Sequence, residues 1–134
     1  MRRSDWELLE ARARSIRERA RARYSGYRVG AALLGEDGEV YAGTNIENAS
    51  FGLCLCAERS AVAAAVAAGV VVFRGLAVVV SGDRPAAPCG MCRQVLIEFP
   101  PSFPVRCYGE GGDELRTTVA ELMPHAFDRG YLDR

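Results

Sequence analysis

Cys56-Ala57-Glu58-Arg59 and Pro88-Cys89-Gly90-Met91-Cys92 are the two segments around which the chain is organised. Each stands where an irregular stretch gives way to helix formers. Ala57 to Ala68 is a helical run closed by Gly69, and Gly90 to Phe99 is a second one stopped by Pro100-Pro101. Cys56 is therefore expected at the N-terminal edge of one helix, and Cys89 with Cys92 at that of the other. Residues three apart share a helix face, so Cys89 and Cys92 can turn towards one point. The partial positive charge of a helix N-terminus favours the thiolate, which is the form that binds metal. Two such ends aimed together predict three thiolates around one Zn2+ ion.

Working outward, the flanking pattern alternates helix and strand. Trp6, Leu9, Ala13, Ile16 and Ala20 recur at spacings of three and four, which predicts an N-terminal helix capped by Ser4 or Asp5. Its other face carries Arg12, Arg14, Arg17, Arg19 and Arg21, read as a solvated surface because no aromatics lie among them. Tyr24-Ser25-Gly26 breaks this helix. Val29 to Leu34, the Asp37-Gly38 turn and Glu39 to Thr44 form a hairpin. Leu76 to Ser81 is a buried strand, and Val105 to Tyr108 and Leu115 to Thr117 are two short ones. Thr118 and Glu121 form a capping box before a last brief helix. The order gives an α/β fold, a three-layer α/β/α arrangement around a mixed five-stranded sheet, with residues 1–134 as a single domain.

Composition excludes several classes of function. Seventeen arginines balance seventeen acidic residues, so no global field draws in a polynucleotide. The apolar run Gly69 to Val80 is interrupted at Arg74 and is too short to span a bilayer. The opening Met1-Arg2-Arg3 leads into charged residues instead of an apolar signal core. Five cysteines in such a chain point to metal chemistry in a reducing compartment, and the expected location is cytoplasmic.

Three protein ligands leave one tetrahedral position open, the mark of a catalytic zinc site, where water is acidified to a pKa of roughly 7. A structural site would need a fourth ligand. Cys54 is too close to Cys56 in sequence, Cys107 sits within a strand, and His125 follows a proline near the end of the chain. Glu58, at the start of a helix, can overhang the open position and carry protons. Arg59 and Arg93 are placed to return positive charge to the sulfurs through hydrogen bonds.

The chain resembles a cytidine deaminase of the small homotetrameric, zinc-dependent type. The likeness rests on Tyr24 to Leu33, Asn45 to Leu53, Cys56 to Arg59, Pro88 to Val95 and Glu121 to Phe127. It implies a hydrolase acting on cyclic amidines in pyrimidine salvage, converting cytidine and 2′-deoxycytidine to the uridine products with release of ammonia. It also implies that Asn45 and Glu47 hydrogen-bond the ribose, that the Ala57 backbone holds the pyrimidine, and that Glu58 contacts the base. Phe127 would close over the base in a neighbouring subunit of a homotetramer. A carboxylate in the sugar pocket repels phosphate, which favours a free nucleoside over a nucleotide or nucleic acid. The family often has Phe at the position of Tyr27 and Tyr at that of Phe51, so neither residue is carried over as a substrate contact. Those departures leave room for a deaminase of a modified cytosine nucleoside such as blasticidin S. A non-catalytic, zinc-stabilised binding module is the alternative from outside enzymology.

Overall fold

The structure, a computed structural model, describes residues 1–133. Its elements run α1 (Arg3–Arg17), β1 (Val29–Gly35), β2 (Val40–Thr44), α2 (Ala57–Ala67), β3 (Phe73–Val80), α3 (Gly90–Ile97), β4 (Pro104–Tyr108), β5 (Glu114–Thr118) and α4 (Val119–Leu122). Single 3₁₀ turns at Phe51–Leu53 and Arg129–Tyr131 have no counterpart among the elements expected from sequence. The five strands form one mixed sheet in the order β2-β1-β3-β4-β5. β3 and β4 run parallel, as the α3 crossover between them requires, and the other three pairings are antiparallel.

Alternation along the central strands divides the interior into two cores. Ala31 and Leu33 of β1, with Leu76, Val78 and Val80 of β3, face Ala57, Ala61 and Ala65 of α2 and Leu96 of α3. Ala32, Leu34, Ala77 and Val79 face Trp6, Leu9 and Ala13 of α1. Both faces of the middle strands are covered, which is why they read as near-continuous apolar runs. The result is three layers: α1, the sheet, then α2 and α3.

Close backbone approach sets how α2 lies on the sheet. A Cβ at Gly43 of β2 would stand 2.4 Å from the Ala61 nitrogen, so only glycine allows α2 to settle there. On the other face, Gly30 has the same role under α1, where a Cβ would stand 2.0 Å from the Ala13 carbonyl oxygen.

The first helix differs from its sequence-based expectation at both ends. Arg2 is the N-cap residue, and Asp5 reaches back to accept from its backbone N–H at 2.8 Å. The helix closes at Arg17, so Ala20 lies beyond it, and Ile16 is only half-buried. Arg17, assigned to the solvated face by its charge, is instead the fourth buried residue of the stripe Trp6, Leu9, Ala13, Arg17. Its Nη1 donates to the Val80 carbonyl at 2.9 Å and pairs with Glu110 at 3.1 Å, which satisfies the charge that burial would otherwise penalise.

Candidate active site

The two helix starts converge as their sequences require. Cys56 is the N-cap residue of α2 and Cys89 that of α3, both with extended backbone, and Cys92 stands one turn into α3. The Cys56 and Cys89 sulfurs lie 3.7 Å apart, and those of Cys89 and Cys92 lie 3.6 Å apart. All three thiols fall within 4.8 Å of one another, with no other Cys, His or acidic side chain completing the set among the described residues. Three soft sulfur donors spaced in this way fit Zn2+ with one coordination position left free.

The electrostatics support thiolate at the centre. The Cys56 thiol is pulled down to about 5, chiefly by the hydrogen bond from Cys92 and then by the Arg59 guanidinium. Cys92, as the proton donor of that pair and buried besides, is pushed upward. Arg59 Nη2 lies 3.4 Å from the Cys56 sulfur and 3.4 Å from the Cys54 carbonyl oxygen. Its Nε is buried without a hydrogen-bond partner. Arg93 makes no hydrogen bond to a sulfur of the cluster. Its Nε donates to the Pro88 carbonyl at 2.7 Å and its Nη1 to the Leu122 carbonyl at 3.0 Å. Against the sequence-based expectation of hydrogen bonds to sulfur, the Arg93 side chain spends its donors on the loop before Cys89 and on α4, and so braces the metal segment.

Glu58, the second residue of α2, is 5% exposed, and burial pushes its carboxyl up to about 7. The Cys56 charge adds to that rise and Arg59 opposes it. A buried carboxyl with this affinity for protons is suited to both accept and release one near neutrality.

Glu58, Cys56 and Cys89 line an open cleft of about 590 Å³. The same cleft is lined by Val78 and Val80 of β3, Ala57, Tyr27, Asn45 and Glu47. Ala57 is the first residue of α2, where a backbone N–H has no partner within the helix. Burial, with the nearby Glu58 charge, raises the Tyr27 hydroxyl above its ordinary value. Phe127 is more than half exposed and lies outside its own chain's cleft. It stacks on Tyr131 at 5.3 Å between ring centres, and its carbonyl accepts from Gln94 Nε2 at 2.7 Å.

Asn45 and Glu47 are at once cleft residues and loop anchors. Asn45 Oδ1 accepts from the Val29 N–H at 2.9 Å, and its Nδ2 donates to the Tyr27 carbonyl at 2.8 Å. Glu47 Oε1 accepts from the Tyr24 and Ser25 N–H groups at 2.9 and 3.0 Å. Its Oε2 accepts from the Ser25 hydroxyl. These bonds hold the carboxyl below the usual carboxylate range, the Ser25 hydroxyl contributing most. Ser25, read from sequence only as part of a helix breaker, is thus a cleft residue in its own right. Its Ser-Gly turn signal marks a bend without saying which side chain the bend embraces.

Residues 4–105 match the family model described as the cytidine and deoxycytidylate deaminase zinc-binding region. A cytidine deaminase of Sporosarcina psychrophila is 48% identical over 126 residues, covering 93% of each chain. One from Halalkalibacterium halodurans is 46% identical over 92% of this chain and 94% of that relative. Among solved structures, the cytidine deaminase of Burkholderia pseudomallei superposes with a TM-score of 0.87 at 45% identity, covering 95% of this chain and all of that one. The Mycobacterium tuberculosis enzyme gives 0.80 at 37% identity, covering 92% and 97%.

Proposed function

Because the chain belongs to the cytidine and deoxycytidylate deaminase family, we propose that it is a zinc-dependent hydrolase converting cytidine and 2′-deoxycytidine to uridine and 2′-deoxyuridine with release of ammonia. The observation that carries the reading is one cleft lined by the buried Glu58 carboxyl, by Cys56 and Cys89 of a three-thiol cluster, and by the two polar sugar-binding candidates Asn45 and Glu47. Cys56, Cys89 and Cys92 would hold the zinc, which when bound would supply Lewis-acid activation of water. Glu58 takes a proton from the attacking water and passes it to the ring nitrogen. It then takes the remaining proton from the hydroxyl now bonded to the ring carbon and delivers it to the departing amine, so that base plus water balances as uracil plus ammonia. Ala57 offers its free N–H to the base, and Asn45 and Glu47 take the sugar. Arg59 stabilises the thiolate charge of Cys56, and Arg93 fixes the loop that presents Cys89.

The buried Glu58 also weighs against a merely zinc-stabilised module. A carboxyl whose proton affinity is raised by burial costs stability when ionised, and a passive fold has no use for it. Assembly enters through Phe127, whose exposed ring would complete a neighbouring copy's cleft in a homotetramer. Phe51, which lines the cleft, and Leu53, at 73% and 69% exposure, are apolar side chains such an assembly would cover. Among the described residues no helix is long and apolar enough to cross a membrane. We place the protein in the cytoplasm as one catalytic domain acting in pyrimidine salvage. Incubation with cytidine, following loss of the cytosine absorbance and release of ammonia, tests the activity. Turnover should vanish with a zinc chelator and return with added zinc; turnover indifferent to chelation would reject the mechanism.

A further inference from the structure

Glu47 enters the cleft already heavily engaged. A carboxylate offers about four acceptor positions. Three are taken, two on Oε1 by the Tyr24 and Ser25 amides and one on Oε2 by the Ser25 hydroxyl. The hydroxyl is itself fixed, because its oxygen accepts from the Tyr27 N–H at 3.0 Å and its proton is left to point at Glu47. Asn45 is similarly committed, with one bond made by Oδ1 and one by Nδ2. What remains is a single acceptor on Glu47 Oε2, and one donor and one acceptor on Asn45. A sugar hydroxyl donates once and accepts through its oxygen, so the Glu47 acceptor and the Asn45 donor together serve one hydroxyl. Gripping both hydroxyls of a vicinal diol from Glu47 needs a second free acceptor on that carboxylate.

We propose that Ser25 is a specificity-determining residue: by occupying Glu47 Oε2 at the rim of the cleft, its hydroxyl limits that carboxylate to one sugar hydroxyl and so keeps the site tolerant of deoxyribose. The inference rests on the reading of Glu47 as a sugar contact. Ser25 acts on the substrate through Glu47. Removing its hydroxyl leaves the two amide bonds that hold Oε1 in place and frees a second acceptor on a carboxylate that lines the cleft. The freed position gains a partner in ribose and none in 2′-deoxyribose.

The test is kcat/KM of the zinc-loaded enzyme for cytidine and 2′-deoxycytidine, in wild type, Ser25→Ala, Ser25→Gly, Ser25→Thr and Glu47→Ala. One added hydrogen bond to a charged acceptor predicts a ribose-to-deoxyribose ratio raised about tenfold in Ser25→Ala, chiefly through KM. Ser25→Gly, a second hydroxyl-free variant, should move the ratio the same way, and Ser25→Thr should keep the wild-type ratio. Equal losses for both substrates in the two hydroxyl-free variants would reduce Ser25 to a structural part and overturn the inference. Glu47→Ala distinguishes the two levels. If it lowers kcat/KM for both nucleosides while the Ser25 variants leave the ratio unmoved, only the Ser25 inference falls. If it changes neither substrate, the sugar-contact reading falls as well.

Discussion

Replacing Glu58 by glutamine should cut turnover by orders of magnitude and, in the metal-free protein, raise stability in a pH-dependent way. Burial lifts this carboxyl from an ordinary 4.5 to about 7, and the side chain is 5% exposed, so solvent screening is slight. Its proton is bound more tightly in the folded chain than in the unfolded one. Its favourable contribution is therefore complete below pH about 4.5 and is lost as the pH rises through about 7. The rise corresponds to about 3 kcal/mol at most, since each tenfold change in proton affinity is worth about 1.4 kcal/mol. Glutamine stays neutral throughout and keeps nearly the same volume. Urea unfolding of reduced, chelator-treated wild type and Glu58→Gln, at equal protomer concentration, should give a stability difference that grows by about 2–3 kcal/mol between pH 4 and pH 8.5. The Cys56 thiolate is present in both chains at the higher pH, so it does not mimic the trend. The zinc-loaded variant should retain its metal and lose about 10²–10⁴-fold in kcat, the usual contribution of a positioned proton carrier. A pH-independent stability difference would show that Glu58 is not held in a desolvated site. Undiminished turnover would remove it from the mechanism.

Four further changes probe how the fold holds together around the site. Arg59→Ala removes the guanidinium from the Cys56 sulfur, which should raise that thiol's pKa and weaken zinc binding about 10–100-fold, read by competition with a metal indicator. Gly43→Ala inserts a methyl 2.4 Å from the Ala61 nitrogen and should cost about 1–3 kcal/mol by denaturant unfolding. Because α2 carries both Cys56 and Glu58, kcat should fall with it, and unchanged kinetics would mean that the helix start does not follow the helix body. Arg17→Met preserves much of the buried volume but leaves the Val80 carbonyl without its donor, for an expected loss of about 1–3 kcal/mol by urea unfolding. Glu110→Gln, altering only the exposed partner, should cost less than about 1 kcal/mol.

What the sequence makes legible is what local chemistry dictates. A thiol before a run of alanines, or before Gly-Met-Cys-Arg, sits at a helix start whatever the rest of the chain does, and both Cys56 and Cys89 prove to be N-cap residues. The Thr118 cap is equally local, its hydroxyl accepting from the Glu121 N–H at 3.1 Å. Strand alternation separates the two cores for the same reason: Ala32 and Ala77 must face one way if Leu33 and Val78 face the other. Arg17 escapes this logic because its burial depends on a carbonyl 63 residues away and on a glycine in another strand. Its charge favours solvent, and only those distant partners draw the side chain inward.

The cleft follows the same division between chemistry and reach. Its reactive end is legible because zinc ligands declare themselves by type and spacing. Its sugar end is legible only as polarity: nothing in Asn45-Ile46-Glu47 says that the segment Tyr24 to Val29 will fold back and occupy most of those polar atoms. The count of free acceptors, on which discrimination between ribose and deoxyribose turns, is a property of that long-range pairing. Arg93 makes the complementary case, since a guanidinium beside a metal ligand has several partners within its length and takes two carbonyls in preference to a sulfur. Reaction type is thus written in residue identity near the helix starts. Substrate selectivity depends on which lone pairs the fold has already used.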